Sequence, residues 1–258
     1  MLVATFNCNS VRQRLDAILG WLAAHEPDVL ALQETKVRDE EFPAAEIEAR
    51  GWHVVFRGEK AYNGVAMVTR DRPKEVSFGL GDGDAGASET RLALLRIGDV
   101  HVVNTNVPQG QALDSPKFAF KLEWLARLRG FFEERFDAGR DRVLWVGDTN
   151  VAPTPIDVYD SERVWPHVCH CQEVIDAWNQ TTSWGFVDVF RKHLPGPGIF
   201  TFWDYRMRSS VAENRGWRID HVQATPRLAG SSVEVVVDLE ARRAERPSDH
   251  TFVAARFE

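Results

Sequence analysis

Asp28-Val29-Leu30-Ala31-Leu32-Gln33-Glu34 is an apolar run that closes on an amide and a carboxylate. A strand with no polar alternation is one buried on both faces, so its sheet needs a covering layer on each side. Upstream, Leu2-Val3-Ala4-Thr5-Phe6 is a second short β-rich run. Between the two, Val11, Leu15, Ile18, Leu19 and Leu22 recur at helical spacing until Pro27 stops the helix. The chain therefore opens strand, helix, strand.

Working outward, apolar runs at Trp52–Phe56, Gly64–Thr69, Leu92–Ile97 and Val100–Asn104 read as a meander of antiparallel strands, with Tyr62-Asn63-Gly64 and Gly98-Asp99 as turns. Phe118, Leu122, Leu125, Leu128, Phe131 and Phe132 mark a long amphipathic helix. Arg142–Gly147 is a further buried strand, ending on Asp148, and a helical stretch covers about Gln172–Trp184. Strands are expected again from Ile199, from Arg218 to Thr225, over Val233–Asp238 and over Thr251–Phe257. Strands and a long helix thus occur twice. Two mostly antiparallel mixed sheets packed face to face, with helices outside, close this pattern as a four-layer α/β sandwich. Gly79–Ser88 is too short for a linker and reads as a solvated loop, so residues 1–258 are expected to form one domain.

Composition agrees with a folded chain: of 258 residues, 44% are hydrophobic and 27% charged, which excludes disorder. A chain of this length buries a large core without disulfide or metal staples. The net charge of −7 is far from that of a protein gripping nucleic acid by bulk electrostatics, so any polyanion site must be local. The first residues lack a basic, then apolar leader, and no apolar run approaches the ~18 residues of a membrane span. Three cysteines without a framework fit a reducing compartment, and a cytoplasmic setting is expected.

Asn7, Glu34, Asp148, Asp220 and the pair Asp249-His250 share one feature: each falls at or beside the end of an expected strand. A lone carboxylate after a strand is most often a turn former or helix cap. Several meeting at one sheet rim would repel one another, and a hard divalent cation is the simplest remedy. Oxygen donors with few sulfurs favour Mg²⁺ or Mn²⁺ over Zn²⁺. The same set supplies a general base and a hydrogen-bond donor, which attack of water on a phosphodiester requires.

The stretches Thr5-Phe6-Asn7-Cys8-Asn9-Ser10, Gln33-Glu34-Thr35-Lys36, Tyr62-Asn63-Gly64-Val65-Ala66, Pro108-Gln109-Gly110, Gly147-Asp148-Thr149-Asn150-Val151-Ala152-Pro153, Trp203-Asp204-Tyr205-Arg206, Asn214-Arg215-Gly216-Trp217-Arg218-Ile219-Asp220 and Pro247-Ser248-Asp249-His250 closely resemble the exonuclease III family of the endonuclease/exonuclease/phosphatase superfamily. They come in the family's order and span essentially the whole chain. The resemblance implies a four-layer sandwich with a Mg²⁺ site, for which Mn²⁺ substitutes. It implies cleavage of double-stranded DNA 5′ to abasic sites, with 3′→5′ exonuclease and 3′-end-cleaning activity. Nothing in the sequence requires more than a monomer, and no membrane partner is expected.

Carried over motif by motif, Glu34 resembles the principal metal ligand, supported by Asn7 with Asp249 nearby, and Asp148, Asn150 and His250 complete the implied metal environment. Asp148 resembles the base that takes the proton of water, Asn150 a phosphate contact, His250 a contact to the scissile phosphate and Asp220 the group that orients it. Gln109, Arg206, Asn214 and Trp217 are the implied DNA contacts, Trp217 as a groove wedge. Trp203–Arg218 carries four arginines against Asp204 and Glu213, whereas Arg38–Arg50 carries five acidic residues against two basic; such an uneven field can direct DNA to one rim.

Two stretches depart from the family. Asn106 stands where the family places a tyrosine near the phosphate, and an amide donates a hydrogen bond but cannot ionise. His167-Val168-Cys169-His170-Cys171 is dense in zinc-type ligands, yet adjacent residues do not easily surround one tetrahedral ion, so an ordinary loop is expected. Two alternatives remain at the sequence level: a catalytically weak DNA-lesion-binding member, motivated by Asn106, and a superfamily phosphodiesterase with another substrate.

Overall fold

The computed structural model describes residues 1–83, 90–207 and 209–258. One six-stranded sheet contains β1 (Leu2–Asn7), β2 (Val29–Gln33), β3 (His53–Arg57), β4 (Val65–Thr69), β11 (Ser232–Val237) and β12 (Val253–Phe257), in the order β11-β12-β1-β2-β4-β3. The other contains β5 (Lys74–Phe78), β6 (Leu92–Ile97), β7 (Val100–Asn106), β8 (Arg142–Asp148), β9 (Val187–Asp188) and β10 (Asp220–Ala224), in the order β5-β6-β7-β8-β10-β9. Each sheet has one parallel pair near its centre, β1 with β2 and β7 with β8, and antiparallel neighbours elsewhere. The helix α1 (Val11–His25) crosses over between the first pair, and α2 (Pro116–Arg135) between the second.

Alternation along the buried strands separates the layers. On β2, Val29 and Ala31 face the other sheet, packing in a cluster with Val102, Leu144 and Val146, while Leu30 and Leu32 turn outward toward Ile18 and Leu22 of α1. On the second sheet, Leu92, Val103 and Trp145 meet Trp124, Leu128 and Phe132 of α2 and Trp178 of α3 (Gln172–Thr182). Helix, sheet, sheet and helix are therefore stacked in that order. Toward the rim the inter-sheet core becomes polar: Gln33 Nε2 donates to Asn104 Oδ1 at 2.7 Å, and Asn104 Nδ2 to the carbonyls of Leu32 and Ala66. These bonds tie the sheets together just below the strand ends.

Several expectations are corrected. The run from Trp52 to Asn104 is not one meander: β3 and β4 form a hairpin in the first sheet, and the chain crosses to the second for β5, β6 and β7. No strand starts at Ile199; Phe202 makes only isolated bridges to Trp217 and His250. The strand Lys74–Phe78, an exposed edge with a register shift, carries too little apolar signal to be seen in the sequence. Of the loop Gly79–Ser88, residues 84–88 lie outside the described residues.

Candidate active site

Glycine sets the approach to the rim. Gly147 has φ +137°, and a Cβ there would stand 2.0 Å from the Thr105 carbonyl oxygen. Only glycine lets β7 and β8 come this close. The next residue, Asp148, ends β8, opposite Asn106 on the parallel β7 and opposite Asp220 on the antiparallel β10. Asp220 thus begins its strand rather than ending it, as does the segment carrying Asp249 and His250, which precedes β12. Because β10 and β12 run antiparallel to their neighbours, their starts lie on the same rim as the ends of β1, β2 and β8.

The side chains converge there. Asn7 Nδ2 donates to Glu34 Oε1 and to Asp148 Oδ2, both at 2.9 Å. The Asn150 backbone N–H donates to Asp148 Oδ1 at 2.9 Å, and its Nδ2 to Asp148 Oδ2 at 3.2 Å and the Val107 carbonyl at 3.0 Å. His250 Nδ1 lies 2.9 Å from Asp220 Oδ2, with Nε2 3.8 Å from Asp148 Oδ2. Asp249 stands one step away, accepting from Asn9 Nδ2 at 3.0 Å. Glu34 and Asn150 both have positive φ, at 51°, so two of these residues are held in sparsely populated backbone regions.

The electrostatics follow from burial. Burial raises the Asp148 carboxyl above its ordinary range; His250 pulls it down, and the Asp220 and Glu34 charges push it further up. Burial alone would lower the His250 imidazole, but the charges of Asp220 and Asp148 and the bond to Asp220 outweigh it and raise it. Burial also opposes ionisation of Glu34, yet the Lys36 ammonium at 2.7 Å and the Asn7 amide hold it below the carboxylate norm. The two neighbouring carboxyl groups therefore favour the protonated form of the imidazole.

Ligand atoms of Asp148, Asp220 and His250 lie within 4.8 Å of one another, and Asp220 Oδ1 is buried without a hydrogen-bond partner. Crowded oxygen donors with one orphaned carboxylate atom fit a hard divalent cation beside them. The His167–Cys171 segment does not: His170 uses Nδ1 on the Ala152 carbonyl and Nε2 on Ser161 Oγ, and Cys169 and Cys171 are buried free thiols.

The implied DNA contacts differ in exposure. Gln109 is exposed on the loop after β7, Arg206 is exposed and paired with Asp204 at 2.7 Å, and Asn214 donates to the Gly198 carbonyl. Trp217 is 9% exposed, in the core cluster with its ring tilted against His167, which leaves little of it free to enter a groove. Within the expected positive stretch Trp203–Arg218, Arg218 is buried on Asp157 at 2.6 Å and Asp188 at 2.8 Å and so adds no free surface charge; Arg208 lies outside the described residues. Sequence reading missed Lys36, Asn9 and the buried Lys121. The first two sit inside the matched motifs, so proximity to Glu34 was the available signal.

The sequence pattern of the endonuclease/exonuclease/phosphatase family matches residues 4–250. The chain is 33% identical to exodeoxyribonuclease III of Haemophilus influenzae over the full length of both. Among solved structures it resembles an AP endonuclease from Archaeoglobus fulgidus, at 43% identity and a TM-score of 0.97, covering 100% of this chain and 99% of the other. It also resembles NExo, a 3′ phosphatase from Neisseria bound to a product DNA hairpin, at 38% identity, a TM-score of 0.94 and the same coverage.

Proposed function

Because the chain belongs to the endonuclease/exonuclease/phosphatase family, and its relatives are exodeoxyribonuclease III and AP endonucleases, we propose that this DNA-repair phosphodiesterase cleaves double-stranded DNA 5′ to abasic sites and also trims blocked 3′ ends. It acts in our reading as a monomeric single domain in the cytoplasm, with Mg²⁺, or Mn²⁺ in its place. The observation that carries the reading is the Asn7–Glu34–Asp148–Asp220–His250 cluster on the shared rim of both sheets.

Glu34 and Asn7 would hold the cation, with the oxygens of Asp148, Asn150 and Asp249 around it and the protonated His250 beside it as a donor, not a ligand. When bound, it polarises a phosphoryl oxygen and neutralises developing charge. Asp148 receives the proton of the attacking water, since its burial makes it more basic than an ordinary carboxylate. His250, kept protonated by Asp220, donates from Nε2 to a non-bridging phosphate oxygen. Asn150 locks Asp148 in place, and the phosphate takes over the longer of its amide bonds. Gln109, Arg206 and Asn214 meet the DNA at its phosphates and minor groove, and Trp217, only 9% exposed, would need to move out of its cluster to act as the groove wedge.

The test is cleavage of a duplex carrying one tetrahydrofuran abasic analogue, with Mg²⁺ and with EDTA, by the parent and by Asp148→Asn. Metal-dependent nicking by the parent and a loss of roughly 10²–10⁴ in rate in the variant are expected. Binding without nicking in Mg²⁺ would favour the lesion-binding alternative.

A further inference from the structure

Helix α2 turns an ammonium into the interior. Lys121 is fully buried on a face otherwise made by Phe118, Trp124 and Leu125. Its Nζ donates to three carbonyls, of Gln109 at 3.2 Å, Asn150 at 2.7 Å and Val168 at 2.6 Å, with Cys169 Sγ at 4.0 Å. Three donors meet three acceptors, so the group is saturated. None of these partners is a carboxylate.

A buried ammonium carries a large desolvation penalty that neutral carbonyls only partly repay, and without it three buried carbonyls would be left short of a donor. The three carbonyls come from three segments that share no strand ladder: the loop after β7, the turn after β8 and the approach to α3. Two of these segments have left-handed backbone beside the ammonium. Asn150 has φ +51°, a conformation that persists where the surroundings over-determine it. Gly110 has φ +102°, which glycine adopts freely, and a Cβ there would stand 3.4 Å from Lys121 Cδ.

We propose that Lys121 is a positioning residue for phosphodiester cleavage: by binding the Asn150 carbonyl it fixes the turn that presents the Asn150 N–H and amide to Asp148, and by binding Gln109 and Val168 it sets two flanking loops around the same phosphate. The inference rests on the proposed roles of Asp148 and Asn150. Its chain of contacts is continuous, from Lys121 Nζ to the Asn150 carbonyl, and from the Asn150 backbone N–H to Asp148 Oδ1 at 2.9 Å. Loss of the ammonium frees the Asn150 peptide to leave its left-handed conformation and lets Asp148 swing. Misplacement of a reacting group by about 1 Å can cost 10²-fold in rate.

The experiment measures kcat and KM on the tetrahydrofuran duplex with Mg²⁺ for the parent, Lys121→Met and Lys121→Gln, with near-UV circular dichroism as the check of folding. Lys121→Met is expected to lower kcat about 10–100-fold while KM moves less than ~3-fold. Lys121→Gln should fall between it and the parent, because a carboxamide restores two of the three donors. A parental kcat in Lys121→Met, or an effect confined to KM, overturns the proposal. So does failure of both variants to fold, which makes the lysine purely a stability element. An inactive but folded parent instead removes the functional reading, and this inference with it.

Discussion

Asp148 and Asp220 are register partners across β8 and β10, and the His250 imidazole lies between their carboxylates, 2.9 Å from Asp220 and 3.8 Å from Asp148. Strand pairing therefore places two carboxyl groups side by side, and together they favour protonation of the histidine. The two carboxylates are not equivalent. Asp148 has a full set of donors from Asn7 and Asn150, whereas one oxygen of Asp220 has none.

In the proposed mechanism Asp220 works through His250, to which it is bonded at 2.9 Å. Asp220→Asn keeps an acceptor for Nδ1–H but removes the charge that favours the imidazolium. The single-turnover rate on the tetrahydrofuran duplex should drop roughly 10²–10⁴-fold with DNA affinity nearly unchanged. A parental rate in this variant rules out the orienting role.

Glu34 is the carboxylate assigned to the cation. Glu34→Gln retains the hydrogen bond from Asn7 and loses the charge, so the fold should stay intact while the Mg²⁺ concentration for half-maximal activity rises sharply. Titrating Mg²⁺ against nicking rate in both proteins decides it, and superimposable curves refute the assignment.

How much of this was legible in sequence depends on what each residue's signal was. Asn7, Glu34 and Asp148 could be placed because a buried strand is an apolar run and its end is where the run stops. The partition of strands between sheets could not: β3 and β4 look like β6 and β7 by periodicity, and only pairing across distant segments sends them to different layers. Arg218 illustrates the opposite error. Counted as surface charge in an arginine-rich stretch, it is instead enclosed by Asp157, Asp188 and the Phe190 ring, partners distant in sequence. Lys121 left no trace, since one lysine on a long amphipathic helix reads as solvated.

The buried pair of Asp157 and Arg218 gives a stability prediction. Burial alone would raise the Asp157 carboxyl, but the guanidinium of Arg218, with bonds from Thr154 and Arg191, holds it far below the ordinary range. The unfolded chain takes up a proton near the usual carboxylate value of about 3.9, and the folded protein resists it. This contribution is thus complete above about pH 4 and is lost as pH falls through the depressed folded value. Asp157→Asn, which leaves Arg218 with Asp188 alone, should cost about 3–5 kcal/mol at neutral pH and soften the decline below pH 4. Urea midpoints at pH 7 and pH 3 measure both effects, and an unchanged midpoint at pH 7 sinks the idea.

Asn106 lies opposite Asp148 in the β7–β8 ladder, its backbone N–H on the Arg91 carbonyl and its own carbonyl receiving Arg91 Nη1 at 3.0 Å. The resemblance puts a phenol at this position. A hydroxyl donor beside a phosphate oxygen shares developing negative charge, and a well-placed donor of this kind is worth about 2.7–4 kcal/mol. The expected gain takes the asparagine amide to supply part of that. Asn106→Tyr should therefore gain ~1–2 kcal/mol, on the order of 5–30-fold in kcat on the tetrahydrofuran duplex. Space is the deciding quantity, because Asn106 is only 3% exposed and the ring must extend along the rim past Asp148 rather than into the inter-sheet core. Steady-state kinetics of the two proteins settle it: an unchanged or lower kcat, with folding and Mg²⁺ affinity preserved, means that neighbouring side chains have closed over the phenol's place and that Asn106 is not a weakened substitute for it.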